Sequence, residues 1–338
     1  MKKSFLIIGA ALSLLLHTQT SLAQFGSLGK SILDKGAEFA GKGGLNKILK
    51  QPAAITTNFK DVNMEGTKPP SFQEGQKPQA LYLLPKAPTG GFYLCAGFYE
   101  MTNKSYCLHA GTHGPSSGDG YMLAPVLGPK QEVVVLILKS AEKHAEVNQH
   151  SIQILLWAII ARTRFVDFST EIKATATILL TPQQLLMLEG GALGVLPANI
   201  MEQAKSKLPE PIQAVFEAEN NIRRLAASGN ASYEEMEKYA ILAGIAPPNS
   251  VVPSGTWALH PDGYYIRYFP QGYSITRVQI YVPQELIDKL GNKPLIYDGP
   301  HGIACPASTG AQRLAQTNEP LNPDYTLKLV NKCTPPVM

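Results

Sequence analysis

The sequence predicts an α+β fold: an antiparallel β core with packed helices, followed by a helical block and a C-terminal β meander. Three observations carry this expectation. Residues 92–110 are rich in aromatic and other strand-favouring side chains. Residues 130–160 carry apolar side chains at helical spacing. Residues 256–282 are strand-like runs separated by Pro-Asp-Gly and Pro-Gln-Gly turns. A composition of 44% hydrophobic and 17% charged residues excludes a largely disordered chain.

In chain order, residues 1–23 read as a secretory signal peptide. Lys2 and Lys3 are the basic start, Phe5 to Leu16 the apolar centre, and Ser21-Leu22-Ala23 the small-residue exit. The apolar run is too short for a membrane span, and no transmembrane segment is expected in the mature chain. The formal charge of +4 loses the two signal lysines and falls to +2, too small to argue for a nucleic-acid partner. Residues 24–75 read as an N-terminal amphipathic and linker segment, with loose helical spacing to Gln51 and Pro, Gly and Gln thereafter.

Residues 76–248 are expected to hold the α+β core and the helical block. A strand region opens at Leu81 to Leu84. Phe92–Glu100 and Ser105–Ala110 read as a hairpin turning at Met101-Thr102-Asn103-Lys104, and Gly111–Gly120 as a loop. Lys130–His144 reads as a helix. Asn148 caps the next one, whose buried stripe is Ile152, Leu155, Leu156, Ile159 and Ile160. Thr170–Leu180 alternates like a strand, and Thr181-Pro182 opens a short helix. Pro209 and Pro211 start a helix ending near Gly229, and Ser232 with Glu235 caps another. Residues 249–338 form the β-rich region: a three-strand meander, a short helix at Gln284–Leu290, and mostly turns beyond Lys293.

Export puts the four cysteines in an oxidising compartment, either periplasm or cell surface. Cys305 and Cys333 share the turn-rich tail, so a local disulfide is expected there. Cys95 and Cys107 are then either bridged across the hairpin or free.

Two short patterns suggest chemistry. Tyr106-Cys107-Leu108 is an aromatic–Cys–apolar triplet on a strand. Ile152-Gln153-Ile154-Leu155-Leu156 puts a glutamine before an apolar pair on a helix, and Gln149, Gln153 and Trp157 share one helix side. A half-buried amide there needs a partner. Over residues 92–165 the chain resembles the thioester domains of bacterial surface adhesins, which carry an aromatic-or-Leu–Cys motif and a later apolar-Gln-x-x-apolar-apolar motif. The resemblance implies a thioester between the Cys107 thiol and the Gln153 side chain, open to an attacking amine. It implies a role in adhesion or surface attachment to a protein or glycan ligand, with no cofactor. Tyr106, Tyr121 and Trp157 are the candidates for shielding that bond from water. His109 and His113 are candidate bases.

Other readings stay open. Cys107 could be a structural cysteine, with Gln153 bonded to backbone. The chain would then be a disulfide-stabilised binding module, recognising a glycan or protein through Tyr264, Tyr265 and Tyr268. Cys107 with a histidine could instead serve a hydrolase or acyl transferase. His109 and His113, with Asp119 and His144 or His150, could form a zinc site, but a solvated loop is the simpler account, and no metal is expected.

Overall fold

The computed structural model describes residues 51–330 and 333, except 117, 190–194, 197, 207, 230–231, 247–251 and 309. The expected signal peptide and the amphipathic helices before residue 51 lie outside the described residues. The described chain falls into two compact units. In the smaller one the described element is the helix Ala198–Lys205, labelled α5 below. Everything else concerns the larger unit, 52–196 with 211–333.

Strand β1 (Gln79–Ala80) is followed by β2 (Phe92–Tyr93), β3 (Gly97–Cys107), β4 (Thr112–His113) and β5 (Tyr121–Pro125). Helices α1 (Gln131–Ala141), α2 (Gln149–Ile160), α3 (Thr170–Leu179) and α4 (Pro182–Leu185) come next, then α5, α6 (Glu210–Ala227) and α7 (Tyr233–Ala240). The chain closes with β6 (Ile241–Leu242), β7 (Ala258–Leu259), β8 (Tyr265–Pro270), β9 (Ile275–Val282), α8 (Gln284–Leu290), β10 (Ile296–Tyr297), β11 (Gly302–Pro306) and β12 (Leu314–Pro320). The main sheet runs β5-β11-β12-β3-β9-β8-β7, with β1 added in parallel to β3. All the other pairings in it are antiparallel. Strand β5 also packs back against β8, so the sheet curls on itself.

Several helix assignments follow directly from local chemistry. The Asn148 carboxamide accepts the Ser151 N–H at 2.8 Å and caps α2. The stripe Ile152, Leu155, Leu156, Ile159 and Ile160 is buried as expected. Thr181 and Gln184 form a reciprocal capping box around Pro182. The β7–β8–β9 meander is present.

Four expectations are corrected. The hairpin over 92–110 does not form, because β3 runs unbroken through Met101–Lys104. Its polar residues find partners inside the sheet, so nothing forces a turn. Asn103 donates to the Thr317 carbonyl at 2.8 Å, Ser105 donates to the Tyr273 carbonyl at 3.1 Å, and Lys104 pairs with Glu319 at 2.6 Å. Residues 170–179 form a helix, not a strand. Ile172, Thr175, Ala176 and Leu179 are its buried side, and the Thr175 hydroxyl donates back to the Glu171 carbonyl at 3.1 Å. The tail beyond Lys293 is not mainly turns: β11 and β12 lie between β5 and β3 in the main sheet. That interleaving removes the expected boundary at 248/249. The linker 52–75 is docked rather than free. Thr57 donates to the Pro125 carbonyl at 2.7 Å, and Phe72 packs edge-on against Phe98, Trp257 and Tyr281.

The disulfide is also corrected. Cys95 bridges Cys333, and Cys107 and Cys305 are free and buried. Cys305 is held in mid-sheet on β11, opposite Met122, so it cannot reach Cys333. Cys95 and Cys107 lie before and at the end of one extended strand, roughly 3.3 Å per residue, and so cannot meet. The bridge closes a sequence separation of 238 residues. Replacing Cys95 and Cys333 together with serine is expected to cost about 2–5 kcal/mol. An unchanged urea midpoint would show that the bridge constrains nothing.

Among the described residues no helix is long and apolar enough to cross a membrane.

Candidate functional site

Strand β3 ends inside the protein, and its last residues outrun their neighbour. The β3–β9 register stops at Lys104 opposite Ile275. Beyond it the Ser105 N–H still reaches the Ser274 carbonyl at 2.9 Å. The remaining groups on that edge need other partners, since a buried peptide left unpaired is costly. Helix α2 supplies them. Gln149 donates to the Ser105 carbonyl at 3.1 Å and to the Ser274 carbonyl at 2.8 Å. Gln153 accepts the Cys107 N–H at 2.9 Å and donates to the Cys107 carbonyl at 3.0 Å. Its carboxamide acts as one more peptide unit in the ladder. The shared side of α2 is therefore real, but the atoms of Cys107 that Gln153 holds are backbone atoms.

The sulfur faces a different glutamine. Cys107 lies on the core face of β3 with Tyr99, Met101, Asn103 and Ser105, and is fully buried. Its Sγ is in direct contact with Oε1 of Gln312, and it also donates to the His109 carbonyl at 3.4 Å. Gln312 is fully buried too, and its Nε2 donates to the Thr112 carbonyl at 2.9 Å and the Ala240 carbonyl at 3.1 Å. Both amide hydrogens are thus taken, which turns the oxygen towards the thiol. The backbone around Gln312 is held as well. Its N–H donates to the His113 carbonyl at 3.0 Å, and the His113 N–H donates to Gly310 at 2.8 Å. Next along the chain, the Leu108 N–H donates to Arg313 at 2.9 Å.

Burial pushes the Cys107 thiol up to about 12, and the Trp157 indole and the His109 backbone pull it only part of the way back. The Trp157 Nε1–H is sealed from water without an acceptor in hydrogen-bonding geometry. Trp157 stacks on Tyr233 at 5.3 Å between ring centres, and Tyr233 stacks on the exposed His150 at 3.8 Å. Three rings therefore lead from the sulfur to the surface.

The other expected residues divide. Trp157 is at the sulfur. Tyr121 is buried, and its hydroxyl is pushed up by burial first, then by Asp119, with smaller additions from Cys305 and Cys107. Tyr106 is buried but, as the next residue on the strand, points to the opposite face. Neither histidine ring is bonded to the thiol. The His109 ring is held neutral, well below its ordinary value, by burial and by Arg313. His113 contributes its backbone to the Gln312 segment. Tyr264 and Tyr268 are fully buried in the core and present no surface, while Tyr265 is half-buried beside Phe98, Trp257 and Tyr281. Among the described residues no group of three or more His, Cys, Asp or Glu side chains is arranged to hold a metal ion.

Gln312 is the residue that sequence reasoning missed. Gln312, Gln316 and Asn318 alternate along β12 and its approach, a pattern that reads as a solvent-facing edge, yet all three are fully buried. Pro306, Ser308 and Gly310 just before them read as turns.

No protein-family model matches this chain, and no match was found among curated proteins or solved structures.

Chemically, a thiol in contact with a carboxamide in a dry core can condense with it. Sulfur bonds to the amide carbon, the C–N bond breaks, and the thiol proton leaves with the nitrogen as ammonia. The product is a thioester, stable while water is excluded.

Proposed function

We propose that this protein is an exported surface-attachment protein whose core carries an internal thioester between Cys107 and Gln312, ready for capture of an amine on a protein or glycan ligand. The observation that carries the reading is the Gln312 carboxamide seated on the Cys107 sulfur, both fully buried. Two further observations support it. The Gln312 nitrogen is held by two carbonyls, which orients the amide for attack at carbon. Trp157 puts a donor next to the sulfur, where negative charge collects when the bond opens. Gln153 belongs to the same site as the clamp on the Cys107 backbone, which sets the direction of the thiol. The Cys95–Cys333 bridge supports residence in an oxidising compartment, in line with the signal-like start of the chain.

The test is intact mass of the mature protein. A thioester makes the chain one ammonia lighter than its sequence, beyond the two hydrogens lost to the disulfide. Methylamine restores the mass as an adduct, and peptide mapping is expected to find the methylamide at residue 312 with a newly titratable Cys107 thiol. A full-mass chain whose Cys107 alkylates only after unfolding would leave a disulfide-stabilised, non-covalent binding module as the better reading. Rapid alkylation of Cys107 in the folded protein would favour the cysteine hydrolase.

A further inference from the structure

A sealed thioester needs a path for the amine and an acceptor for its proton, and one cluster beside the sulfur offers both. Tyr233 and Glu237 are four residues apart on α7, so they share one side of it. Opposite them stands Tyr273, in the turn between β8 and β9. The Tyr273 hydroxyl donates to Glu237 Oε1, and the Tyr233 and Tyr273 hydroxyls are bonded to one another. All three residues are half-buried, which makes them the rim between solvent and the enclosed thiol. The Tyr233 ring lies on Trp157, and Trp157 borders the sulfur. Burial raises the Tyr233 hydroxyl above its ordinary value, and Glu237 and Cys107 add to the shift. The same helix ends at Ala240, whose carbonyl holds the Gln312 nitrogen. One short helix thus carries an anchor for the acyl group and a carboxylate at the rim.

We propose that Tyr233, Tyr273 and Glu237 form the relay that takes the proton from a primary amine as it opens the Cys107–Gln312 bond. This rests on the thioester reading above. The amine nitrogen attacks the Gln312 carbonyl carbon, the C–S bond breaks, and its electron pair goes to the Cys107 sulfur beside the Trp157 N–H. The surplus amine proton passes to the Tyr233 oxygen, the Tyr233 proton to Tyr273, and the Tyr273 proton to Glu237. The thiolate is then protonated from solvent, leaving an amide at residue 312 and a free thiol. Glu237 also gives the entrance a negative charge, which favours ammonium-bearing partners over neutral nucleophiles such as sugar hydroxyls. His150, stacked outside Tyr233, covers this entrance.

The experiment compares the full-length mature protein with Glu237→Gln and Tyr273→Phe, both near-isosteric. Intact mass reports whether the bond has formed, and the rate of methylamine incorporation reports its opening. Both variants are expected to retain the ammonia loss and to capture methylamine roughly a hundredfold more slowly, the lower end of general-base effects. The double variant is expected to be no slower than either single one, because the groups act in series. Added acetate is expected to recover part of the Glu237→Gln rate, which a merely structural role would not produce. Wild-type rates in both variants would overturn the relay and leave the thioester standing. Loss of the bond itself in both variants would overturn it too, making the cluster a support for bond formation. A wild-type chain with no ammonia missing would instead remove the thioester reading, and the relay with it.

Discussion

Replacing Gln312 with alanine is expected to abolish the missing-ammonia signature completely, whereas Gln153→Ala is expected to weaken the fold. The contrast follows from which atoms each carboxamide touches. Gln312 Oε1 is on the Cys107 sulfur, so its amide carbon is the one within reach of the thiol. Both polar atoms of the Gln153 side chain are engaged with the Cys107 peptide N–H and C=O. Truncating Gln153 strands those two groups in the core. Each unmade bond costs about 1–3 kcal/mol, so roughly 2–6 kcal/mol of stability should go. Circular dichroism melting with intact mass on both variants separates the roles. A folded Gln153→Ala chain at full mass, beside a Gln312→Ala chain still missing its ammonia, would return the acyl role to Gln153.

The second large effect is expected where α6 meets the end of α2. The Arg223 guanidinium, fully buried, donates to the Ala161 carbonyl at 2.6 Å and lies 3.7 Å from Glu219. Arg162 bonds the same carboxylate. Burial drags Arg223 down to about 10, with Glu219 opposing the shift. Glu219 is therefore the counter-charge for two arginines in a poorly solvated place. Glu219→Ala leaves them facing each other, and removing one partner of such a group costs about 3–5 kcal/mol. The paired change Glu219→Leu with Arg223→Met is expected to recover part of that loss, because it removes a buried cation together with its partner. Chemical denaturation of the three proteins checks both statements. A single variant as stable as wild type would mean that water already reaches the group.

Much of the architecture was legible because its causes are local. Asn148, Thr181 and Ser232 announce helix starts through hydrogen bonds spanning three residues. The α2 stripe and the meander turns are equally short-range. The failures share one physical cause, which is that a distant partner overrode local preference. Asn103 and Lys104 look like a turn until Thr317 and Glu319 arrive to bond them. The threonines of α3 look like a strand until their hydroxyls bond back to the helix. Tyr264 and Tyr268 look like a binding surface until the sheet curls over them.

The candidate site divides the same way. An unusual cysteine on a strand end, and a helix side bearing Gln149, Gln153 and Trp157, were readable from spacing alone. That Gln153 would grip a backbone was readable only as one of two options. The identity of the amide on the sulfur was not readable at all, because Cys107 and Gln312 are 205 residues apart. Sequence by itself determined the helix caps, the buried stripe of α2 and the meander, since each depends on neighbours a few bonds away. Tertiary structure alone decided which cysteines are bridged and which glutamine meets the thiol. Those outcomes depend on strand order, and here β12 carries the tail of the chain between β11 and β3.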